Sequence, residues 1–315
     1  MLAGACGSTE SPGGAPSEAG GGGTAAGPTK VKVGVLPIAD VAPIWYGMDK
    51  GYFAEEGLEI ETVPAQGGAA IVPSVVSGEY QFGFGNVVSL FLARQNNVPV
   101  QIVSNLVNGA ETPDRGTNAL MVAPGKGITS VKDMAGKKFA VTTQKNAGEV
   151  TIKATLQGAG VDFGGVSFAE YPFPNMNAMV QGGQVDVAWQ AEPFITLGKD
   201  AGLIPIVDPM YSTMPNMTIA SMFASEEWLS SNGEVATKFK KALGKAITEA
   251  KKDEAGIRRT IGSRTQTPPP VIPRIALANW QADLNVPSLE KQGDLATQFG
   301  VLEEKPDISA LVWSP

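Results

Sequence analysis

Carboxylates, amides and indoles are the side chains left to do chemistry in this chain, because its 315 residues include no histidine and a single cysteine, Cys6. The missing imidazole excludes Ser-His-Asp and Cys-His nucleophilic catalysis, histidine-held zinc and an imidazole proton shuttle. One cysteine makes neither an internal disulfide nor a redox pair nor a cysteine-rich metal site. No glycine-rich phosphate loop ending in Lys-Ser/Thr and no nucleophile elbow occurs. The 24 basic residues are outnumbered by 31 acidic ones, a net charge of −7. That balance argues against a sequence-independent nucleic-acid binder, whose affinity comes largely from Lys and Arg on phosphate. What remains is a binder of small molecules, or an enzyme whose chemistry runs on carboxylates. No metal and no cofactor is expected.

The elements that must position such groups alternate between strand and helix. Residues 31–35 read as a strand, 41–50 as a helix with Pro43 in its first turn, and 58–63 as a second strand. This βαβ unit predicts the α/β class, with ligand-facing loops at the carboxyl ends of parallel strands. The length suits two domains of ordinary size. A repeat supports two similar lobes. Gly78 and Gly183 each follow a helical stretch and precede a short strand, and Pro99 and Pro205 follow them by 21 and 22 residues. A chance likeness between two βαβ segments is the plainer alternative.

If the lobes face one another, the strand-end loops meet in a cleft, a preferred place for small-molecule sites. Those loops are 37–45, 66–68, 86–88, 142–148 and 189–194. Most of them lead into helices whose first N–H groups have no partner within the helix. Gly67, Gly68 and Gly148 would let backbone approach a ligand, or would simply serve chain reversal. Trp45, Trp189 and Phe194 could stack on a planar ring or pack inside their own lobes. Asp40 and Glu192 favour an amine-bearing solute. No arginine lies in these loops to clamp a sulfonate, although Lys145 and the helix starts could hold an anion. Arg115 is the nearest guanidinium, beside Glu111 and Asp114.

Two stretches flank this core. Residues 7–30 are rich in Gly, Ser, Pro and Ala, with too little apolar surface to offset ordering, and are expected to form a flexible tether. Leu2-Ala3-Gly4-Ala5 followed by Cys6 resembles a bacterial lipobox, which makes Cys6 the expected lipidation site at the end of a shortened signal peptide. The alternative is an accidental cysteine in a disordered leader. No stretch approaches the ~18 uninterrupted apolar residues needed to span a bilayer. Near the other end, Lys238, Lys241, Lys245 and Lys252 lie on a predicted helix with an apolar stripe through Phe239, Ala242 and Ile247, and read as a solvated face.

Several segments in order resemble a known family: APIWYGMDKGYFAEEGLEIE, SGEYQFGFGNVVSLFLARQNNVPVQIV, ITSVKDMAGKKFAVT, GGQVDVAWQAEPFI and GVLEEKPDISALV. Together they are similar to the substrate-binding proteins of ABC importers of the nitrate/sulfonate/taurine type, which include binders of thiamine pyrimidine precursors. The resemblance spans residues 31–315. It implies a type II periplasmic-binding-protein fold, a Venus flytrap of two α/β lobes joined by two crossover strands near 118–122 and 217–223. Lobe one would comprise 31–120 and 221–315, and lobe two 121–220. Carried over by position, the resemblance implies ligand contacts at Asp40, Ala42, Pro43, Gln66, Asn86, Val87, Thr143, Asn146, Ala147, Trp189 and Glu192. Trp45 and Gly67 join them from the loop reading above.

The implied function is capture of a small organic solute, a heterocycle or aromatic in preference to a sulfonate or nitrate, and delivery to an ABC permease. The protein is then a monomer and not an enzyme, acts outside the cytoplasm, and touches a membrane only through a lipid anchor. The alternatives are an enzyme or transferase on the same fold, and a ligand-sensing receptor domain.

Overall fold

A computed structural model describes residues 27–315. The expected lipidation at Cys6 and most of the expected tether lie outside the described residues.

Alternating buried and exposed positions build β1 (Thr29–Val35), whose Val31, Val33 and Val35 all point into the core. β2 (Leu58–Pro64) and β3 (Phe82–Asn86) flank it in parallel, and β4 (Val100–Asn108) lies further out in the same sheet. The chain then crosses to a second sheet made of β5 (Asn118–Val122), β6 (Lys138–Val141), β7 (Ser167–Glu170), β8 (Val187–Ala191) and β9 (Ile204–Val207). It returns with β10 (Thr218–Ser225), and a two-residue β11 (Asn279–Trp280) edges the first sheet.

Both sheets have one order. The first runs β2-β1-β3-β10-β4-β11 and the second β7-β6-β8-β5-β9. In each, three parallel strands are followed by one antiparallel strand, β10 or β5, that the chain supplies directly after a crossing. Gly78 (φ 78°) and Gly183 (φ 71°) occupy matching turns before β3 and β8, where a left-handed backbone makes glycine the least strained residue. The α/β class and the two-lobed binding-protein fold are as the sequence predicts.

The crossings, residues 109–117 and 208–217, run side by side. The Gly109 N–H donates to the Met217 carbonyl at 2.7 Å and the Asn216 N–H to the Ala110 carbonyl at 2.9 Å. Helix Ala42–Asp49 carries Pro43 in its first turn, as expected, and packs on the long helix Glu226–Ala250. That long helix buries Phe239, Ala242 and Ile247 and turns its lysines outward, Lys241 to Glu56 at 2.7 Å and Lys238 to Glu234 at 2.6 Å. Its basic face is thus neutralised by acidic neighbours. Among the described residues no helix is long and apolar enough to cross a membrane.

Candidate functional site

The carboxyl ends of the strands meet in a cavity walled from both sheets. The first sheet contributes Leu36, Ile38 and Asp40 after β1, Phe84 and Asn86 of β3, and Ile219 of β10. Asn118 of β5, Thr142 after β6, Phe173 after β7 and Trp189 of β8 come from the second. The cavity volume is about 30 Å³, so the walls stand close together. The lining includes no lysine or arginine among the described residues, and its one acidic side chain is Asp40.

The aromatic wall is held from behind. Phe173 meets Trp189 edge to face with ring centroids 5.6 Å apart, and the Trp189 indole N–H donates to Asn118 Oδ1 at 3.1 Å. Trp189 covers Gly148, the second residue of helix Ala147–Gly158; a β-carbon on Gly148 would stand 2.6 Å from Trp189 Cζ3. A side chain there would displace the indole, and only hydrogen fits.

Burial dominates the electrostatics. Asp40 is 3 % exposed, its Oδ1 has no partner, and its carboxyl is pushed up to about 7 by desolvation first and then by the nearby Asp208 and Glu192. Its backbone is pinned, because the Trp280 indole N–H donates to the Asp40 carbonyl at 3.0 Å. Asp208 is raised to about 6 by desolvation, against the N–H groups of Tyr211, Met210 and Asn118, which favour its charged form. Glu192 is also raised by burial, partly offset by hydrogen bonds from Thr196 and Ala276.

The residues expected at the site separate into three groups. Asp40, Asn86 and Trp189 line the cavity. A second group ties the lobes at its rim. Asn86 Oδ1 accepts the Ala147 N–H at 3.2 Å across the cleft while capping Ser89 N–H on its own helix at 2.9 Å. Asn146 caps the facing helix through the Glu149 N–H and donates to Thr142 Oγ1 at 3.2 Å. A β-carbon on Gly67 would meet the Thr142 carbonyl at 3.3 Å and Thr143 Oγ1 at 3.4 Å, so the lobes touch there too. Glu192 belongs to this group. Its carboxylate accepts the Thr196 hydroxyl at 2.8 Å and the Ala276 N–H at 3.2 Å, and its carbonyl accepts the Ala39 N–H at 2.9 Å. Ala42, Pro43, Trp45 and Val87 form the third group, buried inside the core behind the loops, while Gln66 is exposed. Phe194 packs parallel to Phe173 at 6.4 Å, outside the lining.

Asn118, Phe173, Phe84 and Ile219 were not anticipated. The available signal for Asn118 was a single polar residue heading the apolar run Ala119-Leu120-Met121-Val122. Further ties close the cleft away from the cavity. Arg274 and Asp200 pair through two contacts of 2.6 Å, Gln298 Nε2 donates to Gln157 Oε1 at 3.2 Å, and Phe163 meets Phe299 edge to face at 5.1 Å.

Solved structures of similar shape include binding proteins. The chain superposes on the alkanesulfonate-binding protein SsuA of Xanthomonas axonopodis pv. citri bound to MOPS with a TM-score of 0.77 at 18 % identity, covering 92 % of this chain and 99 % of that one. The ligand-binding component of an ABC-type import system from Staphylococcus aureus, with zinc bound, gives 0.77 at 15 % identity, covering 90 % and 96 %. The periplasmic nitrate-binding protein NrtA of Synechocystis PCC 6803 gives 0.74 at 14 % identity, covering 90 % and 84 %. At such identities the likeness is one of fold. No curated protein matches the chain significantly. The family model described as NMT1/THI5 like matches residues 38–255, more than half of the sequence, and the chain therefore belongs to the NMT1/THI5-like family.

Proposed function

We propose that this protein is the extracytoplasmic solute-binding component of an ABC importer, which takes one small heterocyclic or aromatic solute between its lobes and passes it unchanged to a permease. The observation that carries this reading is the cavity itself, with apolar and aromatic walls from both sheets and Asp40 as its single ionisable side chain. An oxyanion such as nitrate or a sulfonate would meet no cationic side chain on that lining and would lie beside a carboxyl group, an arrangement that costs desolvation without a compensating charge. A neutral or amine-bearing ring is matched by the indole and phenyl surfaces instead.

The bodies that close on the solute are those built on the two sheets. Ligand that touches both walls favours the closed arrangement by its differential contacts. Mass spectrometry of co-purifying solute, followed by thermal-shift measurements with pyrimidines, aromatic acids, sulfonates and nitrate, tests the proposal. Stabilisation by a ring compound with no product formed supports it. Turnover of the solute would sink it, and would point to the raised Asp40 carboxyl as an acid or base.

A further inference from the structure

We infer that Asn118 and Asp40 read the solute as a pair, and that they select a neutral planar molecule with a cis-amide edge, an N–H and a C=O side by side. The inference rests on the solute-capture reading above and narrows it.

The orientation of the Asn118 amide is set by chemistry. An indole nitrogen only donates, so the atom of Asn118 that meets the Trp189 N–H at 3.1 Å must be the oxygen. The amide nitrogen is then on the other branch. Asn118 Nδ2 is buried and has no hydrogen-bond partner. From the opposite sheet, Asp40 Oδ1 is likewise buried without a partner. Both residues are 3 % exposed, and both line a cavity walled from both sheets. Buried polar groups are nearly always satisfied, so an unpaired donor and an unpaired acceptor on the lining of one cavity, from different sheets, point to a guest that completes both.

Three kinds of guest can be compared. A cationic amine satisfies Asp40 but turns another donor toward Asn118. An oxyanion satisfies Asn118 but brings no donor to Asp40 and meets no cationic side chain on the lining. A cis-amide edge offers its N–H to Asp40 and its C=O to Asn118, and leaves neither group unpaired. The flat ring that usually bears such an edge also suits the Trp189 and Phe173 surfaces.

The test uses 2-pyridone, which has the edge, and N-methyl-2-pyridone, which has lost its donor, titrated into the full chain by ligand-observed NMR and calorimetry. The wild type should bind 2-pyridone about tenfold tighter than its N-methyl form, since a site built for a hydrogen bond rejects the analogue that lacks it. Asn118→Leu should lose about tenfold for 2-pyridone while the protein stays folded by circular dichroism. Asn118→Asp, which keeps the shape and replaces the donor by an acceptor, should show the same loss and covers the case in which the leucine variant fails to fold. Equal affinity for the two probes overturns the inference. So does an Asn118→Asp variant that binds 2-pyridone like the wild type, or a wild type that binds aromatic compounds from the thermal-shift panel but not 2-pyridone. The last outcome leaves solute capture standing. A protein that binds no compound of either set removes both.

Discussion

The indole of Trp189 lies directly on Gly148, so that one wall of the cavity rests on the first turn of the helix that follows β6. Gly148→Ala should push the indole toward Phe173 and break its hydrogen bond to Asn118. Overpacking of this kind costs about 1–3 kcal/mol. The melting temperature should fall, and solute affinity should fall further than stability alone explains, as read by calorimetry at a temperature where the variant is fully folded. Wild-type affinity in Gly148→Ala would show that the indole does not shape the cavity.

Asp40 gives the protein a stability that depends on pH. Its carboxyl stands at about 7 in the fold against an ordinary 3.8, so the folded state holds a proton that the unfolded chain has released between those values. The contribution is full below about pH 4 and is lost as pH rises through about 7. At 1.36 kcal/mol per unit, the shift corresponds to at most about 4 kcal/mol. Asp208, raised to about 6, acts in the same direction. Denaturant titrations of wild type and Asp40→Asn from pH 4 to 8 should show the wild type losing stability with pH and the variant losing less. Parallel curves would disprove the assignment.

Arg274 and Asp200 hold the lobes together outside the cavity, with half of the arginine side chain and two-fifths of the aspartate exposed. Exposed pairs contribute at most about 1 kcal/mol, so Arg274→Ala should leave the melting temperature nearly unchanged. Its effect falls on closure. Solute release, followed by stopped-flow tryptophan fluorescence, should quicken a few-fold, and a release rate equal to that of the wild type would mean the pair does not latch the lobes.

Glu192→Gln separates charge recognition from closure. Glu192 spends its carboxylate on Thr196 and on the Ala276 N–H, 84 residues away, and is absent from the cavity lining. The variant should weaken neutral and amine-bearing ring compounds alike. A loss confined to amine-bearing compounds would place the Glu192 charge against the solute.

How much of this could be read in the sequence follows the range of the interactions. The alternation around Val31, Val33 and Val35, and the paired glycines at 78 and 183, are local signals, and they were enough to reveal two similar α/β halves. Asn86 was legible because it ends β3 and caps the helix that follows, and Asp40 and Trp189 because they fall in or beside the loops that follow the short apolar strands of each half. The engagement of Glu192 was not, because Ala276 is distant in the chain and reaches it only through tertiary packing. Trp45 was ambiguous for the opposite reason. A tryptophan at helical spacing looks the same in sequence whether its face meets solute or core, and here it meets the core. Asn118 was hidden as the first residue of an otherwise apolar strand, where a polar residue usually reads as a strand end.

The two crossings are unequally anchored, and this bears on how the molecule opens. Asn216 adopts a left-handed backbone and is gripped by amides of Asn108, Asn279 and Asn285, all belonging to the first sheet's side. Residues 111–115, midway along the other crossing, are exposed. The crossing through Asn216 is therefore the stiffer of the two, and the one through residues 111–115 the more compliant. Any swing should pivot within residues 111–115, and Asn118, beyond that pivot at the start of β5, would turn with the departing wall and carry its amide away from Asp40 as the gap widens.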